Sequence, residues 1–166
     1  MAIEYEQKAH DVYVDAVAVA KTEPARRFFS LMAAEEASHV EYLKRKLHAW
    51  SQNGRIDVDE LHSAVPSSDM IAKGMADLEQ GFSGTDRQAL YGPELEALKR
   101  ALEAETRTSE FYRSMVEELS GEHGKLFARF LDIEEGHKAA VLAEIEAIEN
   151  SGFCCDMQEF DQELGV

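Results

Sequence analysis

The chain has 166 residues, 45% apolar and 30% charged, enough for one globular domain with a real core. Its formal net charge of −16 repels nucleic acid and anionic membranes and makes cations the natural partners. The opening "MAIEYEQKAH" is charged and helical in pattern rather than a signal peptide, and no apolar run is long enough for a membrane span. The two cysteines, Cys154 and Cys155, are adjacent, which suits neither a disulfide framework nor a zinc knuckle, so a reducing cytoplasm is expected.

Four segments carry helical periodicity. The first spans about 2–20, with Ile3, Glu6, His10, Tyr13 and Val17 on one face. Thr22 and Pro24 mark a break and a new start. The second helix spans about 24–50, with Phe29, Met32, Glu36, His39, Leu43, Leu47 and Trp50 inward. Residues 51–92 are rich in Gly, Ser and Asp and long enough to travel the length of a bundle, with a short helix around 69–79. The third helix is expected to open at Pro93, with Leu95, Leu98, Leu102, Glu105, Ser109, Tyr112, Val116 and Leu119 inward. Gly121 and Gly124 break the pattern. The fourth helix starts near Lys125, with Phe127, Phe130, Glu134, His137, Val141, Ile145 and Ile148 inward. A tail over 151–166 follows and is expected to pack on or near the bundle.

These rows alternate steps of three and four residues, the seam of a helix in a bundle. Short links join the first to the second helix and the third to the fourth. The expectation is an all-α four-helix bundle over residues 1–150, two antiparallel hairpins joined by a long crossover, the ferritin-like topology. The halves also repeat. Glu36 and His39 recur as Glu134 and His137, and Glu6 with Tyr13 recurs as Glu105 with Tyr112, each Tyr seven residues after its Glu.

Acids on such seams are out of place in a plain bundle. A buried carboxylate without a partner costs several kcal/mol, and four facing one another repel. No Lys or Arg shares their layer of the seam, so the remaining counter-charge is metal. Each Glu-x-x-His pair projects to one side of its helix and can grip an ion. Two such pairs and one Glu from each other helix supply six side chains, Glu6, Glu36, His39, Glu105, Glu134 and His137, enough for a dinuclear site with bridging carboxylates. Four carboxylates also neutralise two divalent ions. Hard oxygen with two imidazoles and no thiolate favours iron or manganese, with zinc as a possible substitute.

The stretches "EQKAHDVY" (6–13), "EEASH" (35–39), "ETRTSEFY" (105–112) and "EEGH" (134–137) resemble the rubrerythrin family of the ferritin-like di-iron carboxylate superfamily. The resemblance covers nearly all of residues 1–150. It implies two iron ions held by the same six residues, and Tyr13 and Tyr112 bonding to ligand carboxylates across the bundle. The tail "GFCCDMQEFDQE" looks like the ending of short, stand-alone members. Two departures matter. No Cys-x-x-Cys pair is present in these 166 residues, so no rubredoxin-like module is expected here and a separate electron donor is the expectation. Thr108 also stands where rubrerythrins tend to have a further carboxylate.

Other residues carry plainer expectations. His10 is expected at the seam edge, bonded to a carboxylate beside the site. His48, His62 and His123 lie on outer faces or loops. Glu35 and Glu135 point about 100° away from the adjacent ligands, into solvent or toward basic residues. Trp50 is expected in the core or at a dimer contact. Three functions follow: a redox enzyme reducing peroxide or dioxygen at a diferrous site, a ferroxidase or iron-handling protein, or a bundle that metal merely holds together. A homo-oligomer, by default a dimer, is the expected assembly.

Overall fold

The computed structural model describes residues 1–54, 61–71 and 88–151. Its long elements are four helices: α1 (Ala2–Val19), α2 (Glu23–Asn53), α3 (Gln88–Glu118) and α4 (Gly121–Ser151). No strand occurs among the described residues. The expected tail with Cys154 and Cys155, and most of the crossover, lie outside them; of the expected crossover helix, its first turn, through Ile71, is seen.

Local chemistry explains the helix ends. Thr22 is the N-cap of α2, its hydroxyl accepting from the Ala25 N–H, with Pro24 in the first turn. Gly54 ends α2 in the left-handed conformation, at φ 68°. Gly121 turns α3 into α4 at φ 65°. Gly124 lies within the first turn of α4 rather than before it, and a Cβ there would meet the Leu119 carbonyl at 2.8 Å. The glycine is therefore needed for a tight return, and the helix begins earlier than its composition suggests. Pro93 likewise lies inside α3, which starts at Gln88. Proline costs a helix one hydrogen bond near its start, and this one is exposed.

α1 packs against α2 and α3, and α3 against α4. The directions follow from named contacts. Tyr112 reaches Glu6 while Tyr13 reaches Glu105, so α1 and α3 are antiparallel. Glu94, early in α3, bonds to the α1–α2 turn, whereas Gly54 lies at the far end of α2. The end of α2 and the start of α3 thus lie at opposite ends of the bundle. α2 and α4 meet through side chains rather than by close backbone approach, with His39 and His137 stacked at 5.3 Å between ring centroids.

Two apolar clusters fill the bundle. One gathers Tyr13, Phe28, Phe29, Met32, Leu98, Val141 and Ile145 toward the α1–α2 turn. The other gathers Tyr42, Leu43, Leu61, Tyr112, Phe130 and Ile133 toward the opposite end. Each buried Leu, Ile or Phe contributes roughly 1.5–3 kcal/mol. Leu47, Trp50 and Leu119 depart from the expected inward rows and are exposed. α1 has 18 residues and α2 and α3 have 31 each, so the last turns of the longer helices outrun their neighbour. Trp50 is not a core residue. On α1 the buried row is Glu6, Ala9, Tyr13 and Ala16, and it passes beside His10 rather than through it. Small Ala9 and Ala16 let α1 lie close to its two neighbours.

Candidate metal centre

A polar layer separates the two apolar clusters. Glu6 from α1, Glu36 and His39 from α2, Glu105 from α3, and Glu134 and His137 from α4 are all fully buried. The helical repeat places them there. Each Glu-x-x-His spans one turn, so acid and imidazole leave the helix on the same side. The structure brings all six sequence-derived residues into this one layer.

The contacts are reciprocal across the bundle. The Tyr13 hydroxyl donates to Glu105 Oε1 at 2.5 Å, and the Tyr112 hydroxyl donates to Glu6 Oε1. Each tyrosine thus holds the carboxylate of the opposite hairpin. His39 Nδ1 lies 3.1 Å from Glu6 Oε2 and 3.6 Å from Glu134 Oε1. His137 Nδ1 lies 2.7 Å from Glu36 Oε1 and 4.0 Å from Glu105 Oε2. Ligand-capable atoms of Glu36, His39, Glu134 and His137 all lie within 4.8 Å of one another.

Satisfaction of these atoms is the telling feature. Both oxygens of Glu36, both of Glu134, Glu105 Oε2, His39 Nε2 and both nitrogens of His137 are buried without a hydrogen-bond partner. The 2.7 Å approach of His137 Nδ1 to Glu36 Oε1 lacks hydrogen-bond direction. Buried polar atoms normally find partners. Here lone pairs converge on shared space instead, as donors do around a cation. None of the six pairs with a Lys or Arg among the described residues. Buried Lys46 has its ammonium 4.9 Å from the centre of the Tyr42 ring.

Without a cation the cluster holds protons. Burial, then the charge of Glu36, pushes Glu6 and Glu105 up to about 7. Burial, with Glu6, Glu36 and Glu105 around it, holds Glu134 well above the carboxylate range. Burial would depress the imidazolium of His39, but Glu36 and Glu6 outweigh it and raise it to about 9. His137 is raised well above its ordinary value, Glu35, Glu36 and Glu105 outweighing burial. Glu36 goes the other way, because the two imidazoles outweigh its own burial. Protons thus occupy the cluster where positive charge is needed. The donor set fits divalent ions: oxygens and imidazole nitrogens with no sulfur among them.

The remaining candidates fall into place around this layer. His10 is part-exposed, with Nδ1 3.2 Å from Gln7 and 3.0 Å from Asp11, and it bonds to none of the six. Its carboxylate partner is a surface residue on its own helix, because the buried row of α1 runs through Ala9. Thr108, buried beside the layer, donates to the Ala104 carbonyl at 3.1 Å. The buried Ser109 hydroxyl has no partner. His48, His62 and His123 are exposed. Glu135 pairs with Arg113 and Lys138, each at 2.7 Å.

Glu35 differs from its expectation. Its side chain is 12% exposed, it accepts from Ser63 and from the Ala64 N–H, and it lies 3.9 Å from His137 Nε2. Burial would raise its pKa, but His137, Ser63 and Ala64 together lower it to about 2. The acidic doublet Glu35–Glu36 was its signal. A residue 100° round from a ligand can face an adjoining segment of its own chain, not only water.

Comparison of the chain with protein-family models, curated proteins and solved structures finds no significant match.

Proposed function

We propose that the chain is a di-metal carboxylate protein, a ferritin-like bundle of the rubrerythrin type. In this reading it takes two iron ions into the layer formed by Glu6, Glu36, His39, Glu105, Glu134 and His137. It uses them to reduce peroxide or dioxygen with electrons from a separate donor. One observation carries the reading: four carboxylates and two imidazoles from four helices are fully buried together, with most of their inward atoms lacking any partner. Leaving them so would cost several kcal/mol for each ionised group. Bound iron would supply the one-electron couple and the Lewis acidity that such a reduction needs.

The chain's own contribution is positional and electrostatic. Glu36 and Glu134, central and without hydrogen bonds, would offer both of their oxygens to the ions. Glu6 and Glu105 are each fixed through one oxygen by a tyrosine, which leaves the other oxygen turned to the layer. Phe130 makes a T-shaped contact with His39, ring centroids 5.5 Å apart, and with the two apolar clusters walls the layer off. The proton-rich state of the metal-free cluster means that loading two cations releases protons.

The test is anaerobic loading with Fe(II), followed by rapid mixing with hydrogen peroxide or dioxygen. The expected result is saturable uptake of about two ions per chain, then oxidation that is faster with peroxide. Faster oxidation by dioxygen, with iron released or accumulated, turns the reading to ferroxidase action. Absence of saturable uptake overturns the metal centre itself.

A further inference from the structure

The crossover segment 61–71 packs along the gap between α2 and α4, the two helices that each carry a Glu-x-x-His pair. Leu61 is buried with Tyr42, Phe130 and Ile133, and its carbonyl accepts from Arg129 Nε at 3.1 Å and Nη2 at 3.0 Å. Val65 is buried in the other apolar cluster. The Pro66 carbonyl lies 3.1 Å from where a Cβ on Gly136 would stand, so α4 receives the segment closely at the residue before His137. The α2 side is held by Glu35 alone among its acids. Ser63 Oγ donates to Glu35 Oε2 at 2.6 Å, and the Ala64 N–H donates to Oε1 at 3.2 Å. Ser63 Oγ also accepts from the Val65 N–H at 3.0 Å, which closes a compact turn around the carboxylate.

On the metal-centre reading above, we infer that Glu35 is a positioning residue that ties this crossover segment to His137. Metal capture by the cluster and seating of residues 61–66 are then one coupled event. His137 Nδ1 faces Glu36 and Glu105, so Nδ1 is the nitrogen that offers its lone pair to a cation. Its proton must then reside on Nε2, which is buried and has no hydrogen-bond partner. Glu35 Oε2 is the acceptor facing it, at 3.9 Å. A movement of roughly 1 Å brings the pair to hydrogen-bond distance. The same oxygen accepts from Ser63, so the carboxylate approaches His137 only together with the segment. Whatever tightens the His137–Glu35 contact stabilises the segment, and by linkage a seated segment tightens metal binding.

The test uses the full chain and zinc as a redox-inert probe. Zinc affinity is measured by competition with a chelator for wild type, Glu35→Ala, Glu35→Gln and Ser63→Ala. Amide exchange at residues 61–65 is followed with and without zinc. Glu35→Ala is expected to weaken zinc binding about 10–100-fold. Ser63→Ala, which touches no proposed ligand, is expected to weaken it severalfold. Glu35→Gln falls between, since its amide oxygen still accepts from the segment. Zinc is expected to slow exchange at 61–65 in wild type but not in Glu35→Ala. Should Glu35→Ala fail to fold, Ser63→Ala and wild-type exchange still decide. Zinc-binding variants with wild-type affinity, or exchange at 61–65 that zinc leaves unchanged, overturn this inference alone. A wild-type chain that takes up no zinc overturns it together with the metal centre.

Discussion

Glu94 and Glu134 are both fully buried carboxylates on long helices, yet one oxygen of Glu94 is filled by donors while its other oxygen, like both of Glu134, has no partner. Glu94 Oε1 accepts from the backbone N–H groups of Lys21 and Thr22, each at 2.8 Å, and from the Thr22 hydroxyl at 3.0 Å. It fastens α3 to the α1–α2 turn and takes up orphan donors at the start of α2. Glu134 has no hydrogen bond at either oxygen and faces three other acids. Burial of a carboxylate therefore does not by itself speak for metal. A buried carboxylate fed by backbone donors is a structural brace, whereas one facing other acids and imidazoles is placed where it could hold a cation.

The largest expected effect separates the two by metal content. Glu134→Ala should abolish the uptake of about two ions per chain, while Glu94→Ala should leave it intact. Elemental analysis of the purified proteins checks this, and equal metal in wild type and Glu134→Ala breaks the contrast.

pH gives the second comparison. Glu6 and Glu105 are raised to about 7 in the metal-free fold, and His39 to about 9. A raised folded pKa means that the fold binds protons more tightly than the unfolded chain. The stability from the two acids is complete below their ordinary value of 4.5 and is lost as pH rises through 7. That from His39 is complete below 6.5 and lost as pH rises through 9. The metal-free protein should therefore melt at progressively lower temperature from pH 5 to pH 9. Metal affinity should rise over the same interval, because the ligands must shed their protons. Thermal melts of both forms across this range are the measurement. A metal-free melting temperature that climbs with pH contradicts the shared-proton picture.

The smallest effect is an inversion in stability. In the metal-free protein Glu134→Leu should stabilise the fold by about 1–3 kcal/mol, since it replaces a buried carboxyl group whose two oxygens find no hydrogen-bond partner with a packed apolar side chain. Glu94→Leu should destabilise it by about 1–3 kcal/mol, since it strands the donors of Lys21 and Thr22. Denaturant unfolding of both variants reads the signs directly, and the same sign in both would show that the two environments are energetically alike.

Much of this was legible in the chain itself. Four periodic rows named the four helices, and Thr22 with Pro24 marked the start of α2. The six acids and imidazoles stood out because a seam position that holds Glu or His instead of Leu breaks a strong local rule, twice at the same spacing. Tyr13 and Tyr112 stood out for the same reason, seven residues after Glu6 and Glu105. Helix ends were less legible, since a glycine reads as a breaker whether it ends a helix, as Gly54 does, or admits a close carbonyl within one, as Gly124 does. The spacing puts His10 on the seam, but the buried row runs through Ala9, because alanine gives a weak periodic signal.

Helical periodicity, a local property carried by spacing along one chain, was enough to read the middle of each inward row, the six acids and imidazoles included, but not the last turns, where Leu47, Trp50 and Leu119 are exposed. What each inward or sideways group meets came from the packing of the helices. Glu94 against the α1–α2 turn and Glu35 against Ser63 and His137 join residues far apart in the chain. Such pairings are set by how whole helices and the crossover pack, and no local spacing encodes them.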